Sequence, residues 1–182
     1  MNLRDTTMQK INKQAGVFSI EMAFVLIGMC AALYFCFDLG YQQIRKSQLE
    51  RVSYSLVSVL KERTLFYQKK EQVSTEEVND LHLLAVRLLN IKNNSQVSVV
   101  VDQRIQGQPS TQIRSTISQV ISCKPHQMLS DKFDITLEKT GKKAPVYQVT
   151  VCQQIPAWFE SVISGEAKNS RILQVQSTFI GR

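Results

Sequence analysis

The chain has 182 residues, enough for one soluble domain beside a membrane segment, and a formal net charge of +7. That excess is spread thinly along the sequence, which describes a solvated surface and excludes a nucleic-acid footprint. No phosphate-binding loop, nucleophile elbow or repeated paired-carboxylate pattern occurs, which argues against an enzyme.

The first element is a short basic leader, Arg4, Lys10 and Lys13 against Asp5, ending at Gly16. Its net +2 leaves +5 on the chain from Val17 onward. Residues Gly16 to Leu26 read Gly-Val-Phe-Ser-Ile-Glu-Met-Ala-Phe-Val-Leu, and no charged side chain follows from Met22 to Phe37. With Val17 to Ile20 added, this stretch is long enough to cross a bilayer. Glu21 is its single carboxylate. Such a group costs roughly 2.5–3.5 kcal/mol at mid-membrane and less near the interface, so its presence points to a use. The bland alternative is a signal anchor whose Glu21 reaches back toward water. A cleaved secretory signal is disfavoured because Ala31-Ala32-Leu33 is a poor cleavage site, and neither Cys30 nor Cys36 follows the small residue a lipoprotein needs. Both cysteines read as lipid- or neighbour-facing packing residues.

Beyond the span, Leu49, Val52, Leu56 and Val59 recur at three-four-three spacing, with Glu50, Arg51, Lys61 and Glu62 on other faces. This is an amphipathic helix reaching to about Gln68. It either continues the span or forms a separate core helix hinged at Gly40. Thr75, Glu76 and Glu77 open a second helix carrying Val78, Leu81, Leu84, Ala85 and Leu88 and ending near Asn93-Asn94. Asn93-Asn94-Ser95 matches a glycosylation triplet but is read as a turn.

The period then changes. Val97, Val99 and Val101 alternate with polar residues, as do Tyr147, Val149 and Val151, and then Leu173, Val175, Ser177 and Phe179. These predict strands of a sheet with one covered face. Phe133 to Leu137 is a further candidate strand, with Gly141 to Pro145 as the turn after it. Ile113 to Ile121 suits helix by spacing and strand by composition. Pro156 to Ile163 reads as a short helix, with Trp158 a core or rim aromatic. The expected class is α+β, an antiparallel sheet packed on the stem helix, whose open edge is a candidate assembly surface. His82 lies on the second helix. His126 follows Cys123 in a Cys-x-x-His arrangement that lacks the further ligands of a metal site, and reads as a surface loop residue.

A basic leader ending in Gly16, an apolar run, and a glutamate five places after that glycine resemble the processing site of type IV prepilins and pseudopilins. Within that group the chain is similar to the minor pseudopilins of the tight-adherence (Tad) pilus, of the TadF type first and the TadE type second. The resemblance implies cleavage by a prepilin peptidase after Gly16, with Val17 as the new amino terminus and Phe18 as the second mature residue. The commonest pattern has Phe or Met in first place. Glu21 would take the acidic position and pair with the amino terminus of a neighbouring subunit, since two buried opposite charges offset each other's desolvation when one alone would not. The implied partners are that peptidase, other pilins and pseudopilins, the inner-membrane assembly platform and inner-membrane lipid. No cofactor and no nucleic acid are implied.

Arg45, Lys46 and Arg51 follow the span as closely as the leader's bases precede it, so charge counting leaves orientation tied. The resemblance breaks the tie toward a cytoplasmic leader and an exported domain. Cys123 and Cys152, the two cysteines outside the span, are then expected to form a disulfide, the alternative being two buried thiols in a cytosolic domain. The expected division is leader 1–16, transmembrane helix 17–38, stem 39–70 and exported domain 71–182. Two function classes follow. One is an assembly subunit of an envelope filament serving adherence and biofilm formation. The other is a single-pass anchored binding or sensor module that keeps Met1.

Overall fold

The computed structural model describes residues 3–62, 72–118, 121–136, 141, 143–165 and 169–181, with side chains of the first helix from Phe18 onward. Helix α1 spans Leu3–Lys61 with no break at Gly40. The predicted continuation from 63 to about Gln68 lies outside the described residues. The chain divides into two compact units, Met1–Gln42 and Gln43–Arg182. The first is helix, apolar and exposed from Phe18 to Cys36. The second holds the rest of α1 and the remaining elements.

Four strands, β1 (Val97–Arg104), β2 (Thr111–Arg114), β3 (Val146–Pro156) and β4 (Ser170–Ile180), form an antiparallel sheet in the order β2-β1-β3-β4. Val99 pairs with Val151, which pairs with Val175, and Gln103 pairs with Tyr147, which pairs with Phe179. The alternate residues Val97, Val99, Val101, Tyr147, Val149 and Val151 thereby share one face and are buried. Onto it pack Leu49, Leu56 and Val57 of α1 and Val78 and Ala85 of helix α2 (Thr75–Leu88), all fully buried. Burying each large aliphatic side chain contributes roughly 1.5–3 kcal/mol, so this face carries most of the unit's stability. Ser53 Oγ fixes the helix over mid-sheet by donating to the Val149 carbonyl at 3.1 Å.

Helix α2 starts where its sequence says it should. Glu77 N–H donates to Ser74 Oγ at 3.3 Å and Ser74 N–H to Glu77 Oε2 at 2.8 Å, a capping box. Gln103 accepts from the Val73 N–H at 2.7 Å and pins this start to the end of β1. The helix stops earlier than the expected Asn93-Asn94. Asn90 takes φ 51°, and Ile91 N–H turns back to the Val86 carbonyl at 3.1 Å. Asn93 instead caps a short 3-10 turn at Asn94–Gln96, accepting from Ser95 N–H.

Four further expectations are corrected. The sheet is covered on both faces rather than one, since every residue of β1 is buried. The second cover is the segment around 115–135, whose Ile121 and Cys123 pack on Val100 and Cys152. Of the expected strand Phe133 to Leu137, the described residues Phe133 to Thr136 do not form a strand. A 3-10 turn occupies Asp131–Phe133, Ile135 is exposed, and only Thr136 bridges to Lys143, because no covered face exists for alternate side chains to enter. Leu137 lies outside the described residues. On α1 the buried stripe leans toward Val57 and Leu60, leaving Val59 exposed. On α2 it takes His82 rather than Leu84. Ile113 resolves as strand, in β2, and the chain bends after Arg114. Helix α3 (Trp158–Ser164) forms as expected and ends at Gly165 with φ 71°.

Candidate functional site

The first unit presents an apolar surface with nothing over it. Phe18, Phe24 and Ile27 are each about two-thirds exposed, and the helix from Phe18 is long and apolar enough to cross a membrane, with none of its apolar stretch buried. In water such a surface is unfavourable by roughly 25 cal/mol per Å², so lipid or other helices are its natural surroundings. Glu21 is exposed among these side chains. At about 100° per residue it lies in line with Val25, Gly28 and Ala32. No heavy atom lies within 4 Å of a Cβ built on Gly28, so a neighbouring helix can approach closely along this line. Cys30 and Cys36 are free and exposed on the same helix. Gly16 and Val17 fall within α1, where only the backbone is described. Asp38, the first acid after the apolar run, accepts from Gln42 Nε2 at 3.3 Å.

The second unit is braced on its far face. Cys123 and Cys152 are joined, with their Cα atoms 5.7 Å apart, and both are buried. The bond ties the covering segment to the middle of the sheet. Beside it lies a buried polar cluster. Gln112 Nε2 and Gln148 Nε2 donate to the two Asp102 carboxylate oxygens at 3.0 and 3.2 Å, and Gln148 Nε2 also reaches the Gln127 carbonyl at 2.8 Å. Burial pushes the Asp102 carboxyl above its ordinary value, while the two amide donors and the charge of Arg114 oppose that shift.

At the sheet end, Arg104 Nε and Lys143 Nζ each stand 2.7 Å from Asp134. Their hydrogen bonds pull the Asp134 carboxyl down to about 2. Gly107 closes this corner: its carbonyl accepts from Arg104 Nη2, its φ is 76°, and an added Cβ would meet Lys143 Cδ at 2.6 Å. None of these partners could be read from the sequence, because they lie up to 46 residues apart and carry no local pattern. His82 is buried in the core. Its burial lowers the imidazole's affinity for a proton, against a raising contribution from the Asn94 backbone. His126 is exposed in a loop, its N–H donating to Gln176 Oε1. Among the described residues no three His, Cys, Asp or Glu side chains gather as a metal would require.

A long apolar helix that fits a single-pass membrane anchor, joined to an α+β domain built on the helix's own continuation, defines a pilin-like protein. A family model described as "putative tight adherence pilin protein F", TadF, matches residues 9–182, and the chain belongs to that family. Searches of curated proteins and of solved structures each found no match.

Proposed function

We propose that the chain is a minor pseudopilin of a Tad pilus, a structural subunit without chemistry of its own. The observation that carries this reading is a carboxylate exposed on an otherwise apolar, uncovered helix in a chain of the TadF family. Residues 1–16 are the leader, removed by a prepilin peptidase after Gly16. Residues 17–38 are the transmembrane helix, 39–70 the stem and 71–182 the exported domain, in the periplasm. The amino group freed at Val17 is then the partner of Glu21 on a neighbouring subunit, with Phe18 packing beside that pair. Paired charges in a low-dielectric bundle favour correctly processed neighbours over unprocessed ones. The Cys123–Cys152 bond supports an oxidising location for the domain. Partners of the same system, namely other pilins and the inner-membrane assembly platform, would meet the apolar helix, and the role served is adherence and biofilm formation.

The amino-terminal sequence of the protein extracted from membranes tests the processing step. A start at Val17 is expected. A start at Met1 contradicts the reading and leaves an anchored envelope module. A bulky or charged residue at Gly16 should leave the precursor uncut.

A further inference from the structure

The second unit gathers its most exposed apolar side chains on α3. Val162 is 68% and Ile163 71% exposed, and one turn earlier Trp158 and Phe159 are half-buried. At about 100° per residue these four occupy an arc of about 140°, and Glu160, Ser161 and Ser164 take the rest. Ser161 and Ser164 hydroxyls donate back to the carbonyls one turn before, and Arg171 stands 3.9 Å from Glu160. Glu160, Val162, Ile163 and Ser164 are all exposed, so Val162 and Ile163 stand uncovered while Trp158 and Phe159 are partly covered.

The position of α3 within the unit gives that face a meaning. It leaves β3 at Pro156, the sheet end where Val97 pairs with Gln153 and Pro156 with Ser170. Trp158 and Ser161 line a cleft there with Gln96. Helix α1 joins the unit at the same end. Ser53 sits over Val149 at mid-sheet, Lys61 lies over Phe179 at the opposite end, and Arg45 and Arg51 line a cleft with Leu88 and Asn90, where α2 turns toward the 3-10 turn before β1. Five exposed or half-exposed cations, Arg45, Lys46, Arg51, Arg87 and Lys92, lie on α1 near this junction and around the end of α2, with Glu50 among them. The uncharged run ends at Phe37 and the unit begins at Gln43, six residues later in the sequence, so the tether between the two is short.

We propose that α3 is an interfacial helix, its Trp158, Phe159, Val162 and Ile163 face seated among the headgroups of the membrane that α1 enters, with the flanking cations drawn to anionic phospholipid. The inference rests on the membrane-anchor reading of α1.

Trp158 is the chain's single tryptophan, so its emission reports this helix alone. The full chain is reconstituted in phosphatidylethanolamine–phosphatidylglycerol vesicles with and without bromine on the upper acyl carbons, and vesicle flotation is scored in parallel. The expected result is flotation with loss of Trp158 emission in the brominated vesicles. The loss should shrink when phosphatidylglycerol is omitted, and disappear in a Val162→Asp/Ile163→Asp variant that still floats. A floating wild-type chain with unquenched Trp158 overturns the inference and leaves the anchor standing. Shielding of Trp158 that grows with protein density and ignores bromine also overturns it, naming a second copy as the occupant. A chain that fails to float refutes the anchor reading, and the inference with it.

Discussion

The two parts of helix α1 are apolar to different ends. From Phe18 to Phe37 nearly every side chain is apolar and all are exposed, so no face is distinguished except by Glu21. After Gln43 the apolar residues form a stripe, with Leu49, Leu56 and Val57 fully buried and Glu50, Arg51 and Tyr54 exposed. Saturation marks a surface destined for lipid or other helices, whereas periodicity marks one that the chain covers itself. One continuous element thus serves as an interaction surface at one end and as a wall of a domain core at the other.

The most severe way to break this contrast is to truncate one leucine in each part. Leu56→Ala should destabilise the globular unit by roughly 2–5 kcal/mol, because a fully buried side chain leaves a cavity under two helices and a sheet. Leu26→Ala, at a side chain that touches no core, should leave the domain's unfolding unchanged. Urea titration of both variants in the same detergent checks the pair, and equal losses would erase the distinction.

Next in size is the brace on the second face. Opening Cys123–Cys152, by Cys152→Ser or by reduction, should cost on the order of 2–4 kcal/mol for a loop of this length. Protease sensitivity should appear in the covering segment around 115–135, while the apolar helix is unaffected. Recovery of both cysteines as free thiols from the native envelope would remove the support they give to an exported domain.

A smaller effect concerns acid. Asp134 has a folded value of about 2 against an ordinary 3.8, so its two cations contribute stability that is fully present above about pH 4. That contribution is lost as pH falls through about 2. Asp134→Asn should therefore flatten the acid limb of a stability–pH curve between about pH 4 and 2. Asp102 works in the opposite sense, since its raised value means the folded state tolerates protonation there. An unchanged acid limb in the Asn variant would show that the Arg104–Asp134–Lys143 contact is not held in solution.

The apolar helix, the stem, α2, α3 and strands β1, β3 and β4 were legible because each carries its own period, cap or breaker. The second cover of the sheet was not. Among its described residues only Asp131–Phe133 form a regular turn, and what holds it is a disulfide, a glutamine cluster around Asp102 and a few apolar contacts from Ile121, formed between positions separated in sequence. The alternation of β1 pointed to a polar outer face, yet Asp102 and Gln148 are buried because amide donors satisfy the carboxylate there. Leu84 and Val59 fit the helical stripes by spacing alone, and the lie of each helix on the sheet chose His82 and Val57 instead. Of the candidate site, Glu21 was visible at once, because one carboxylate in an uncharged stretch needs no structure to be seen.

Glu21 is where the proposed assembly role meets its most direct test. Glu21→Ala removes a charge from a segment long and apolar enough to cross a membrane, so on the proposed reading insertion should be eased if anything, and processing after Gly16 and folding of the globular unit should be untouched. The measurement is a complementation assay for surface pili, with a parallel blot for the processed protein. Loss of piliation with processed protein at wild-type level is expected if Glu21 pairs with the amino terminus of a neighbour. Full pilus assembly by the alanine variant at the same protein level would contradict that pairing.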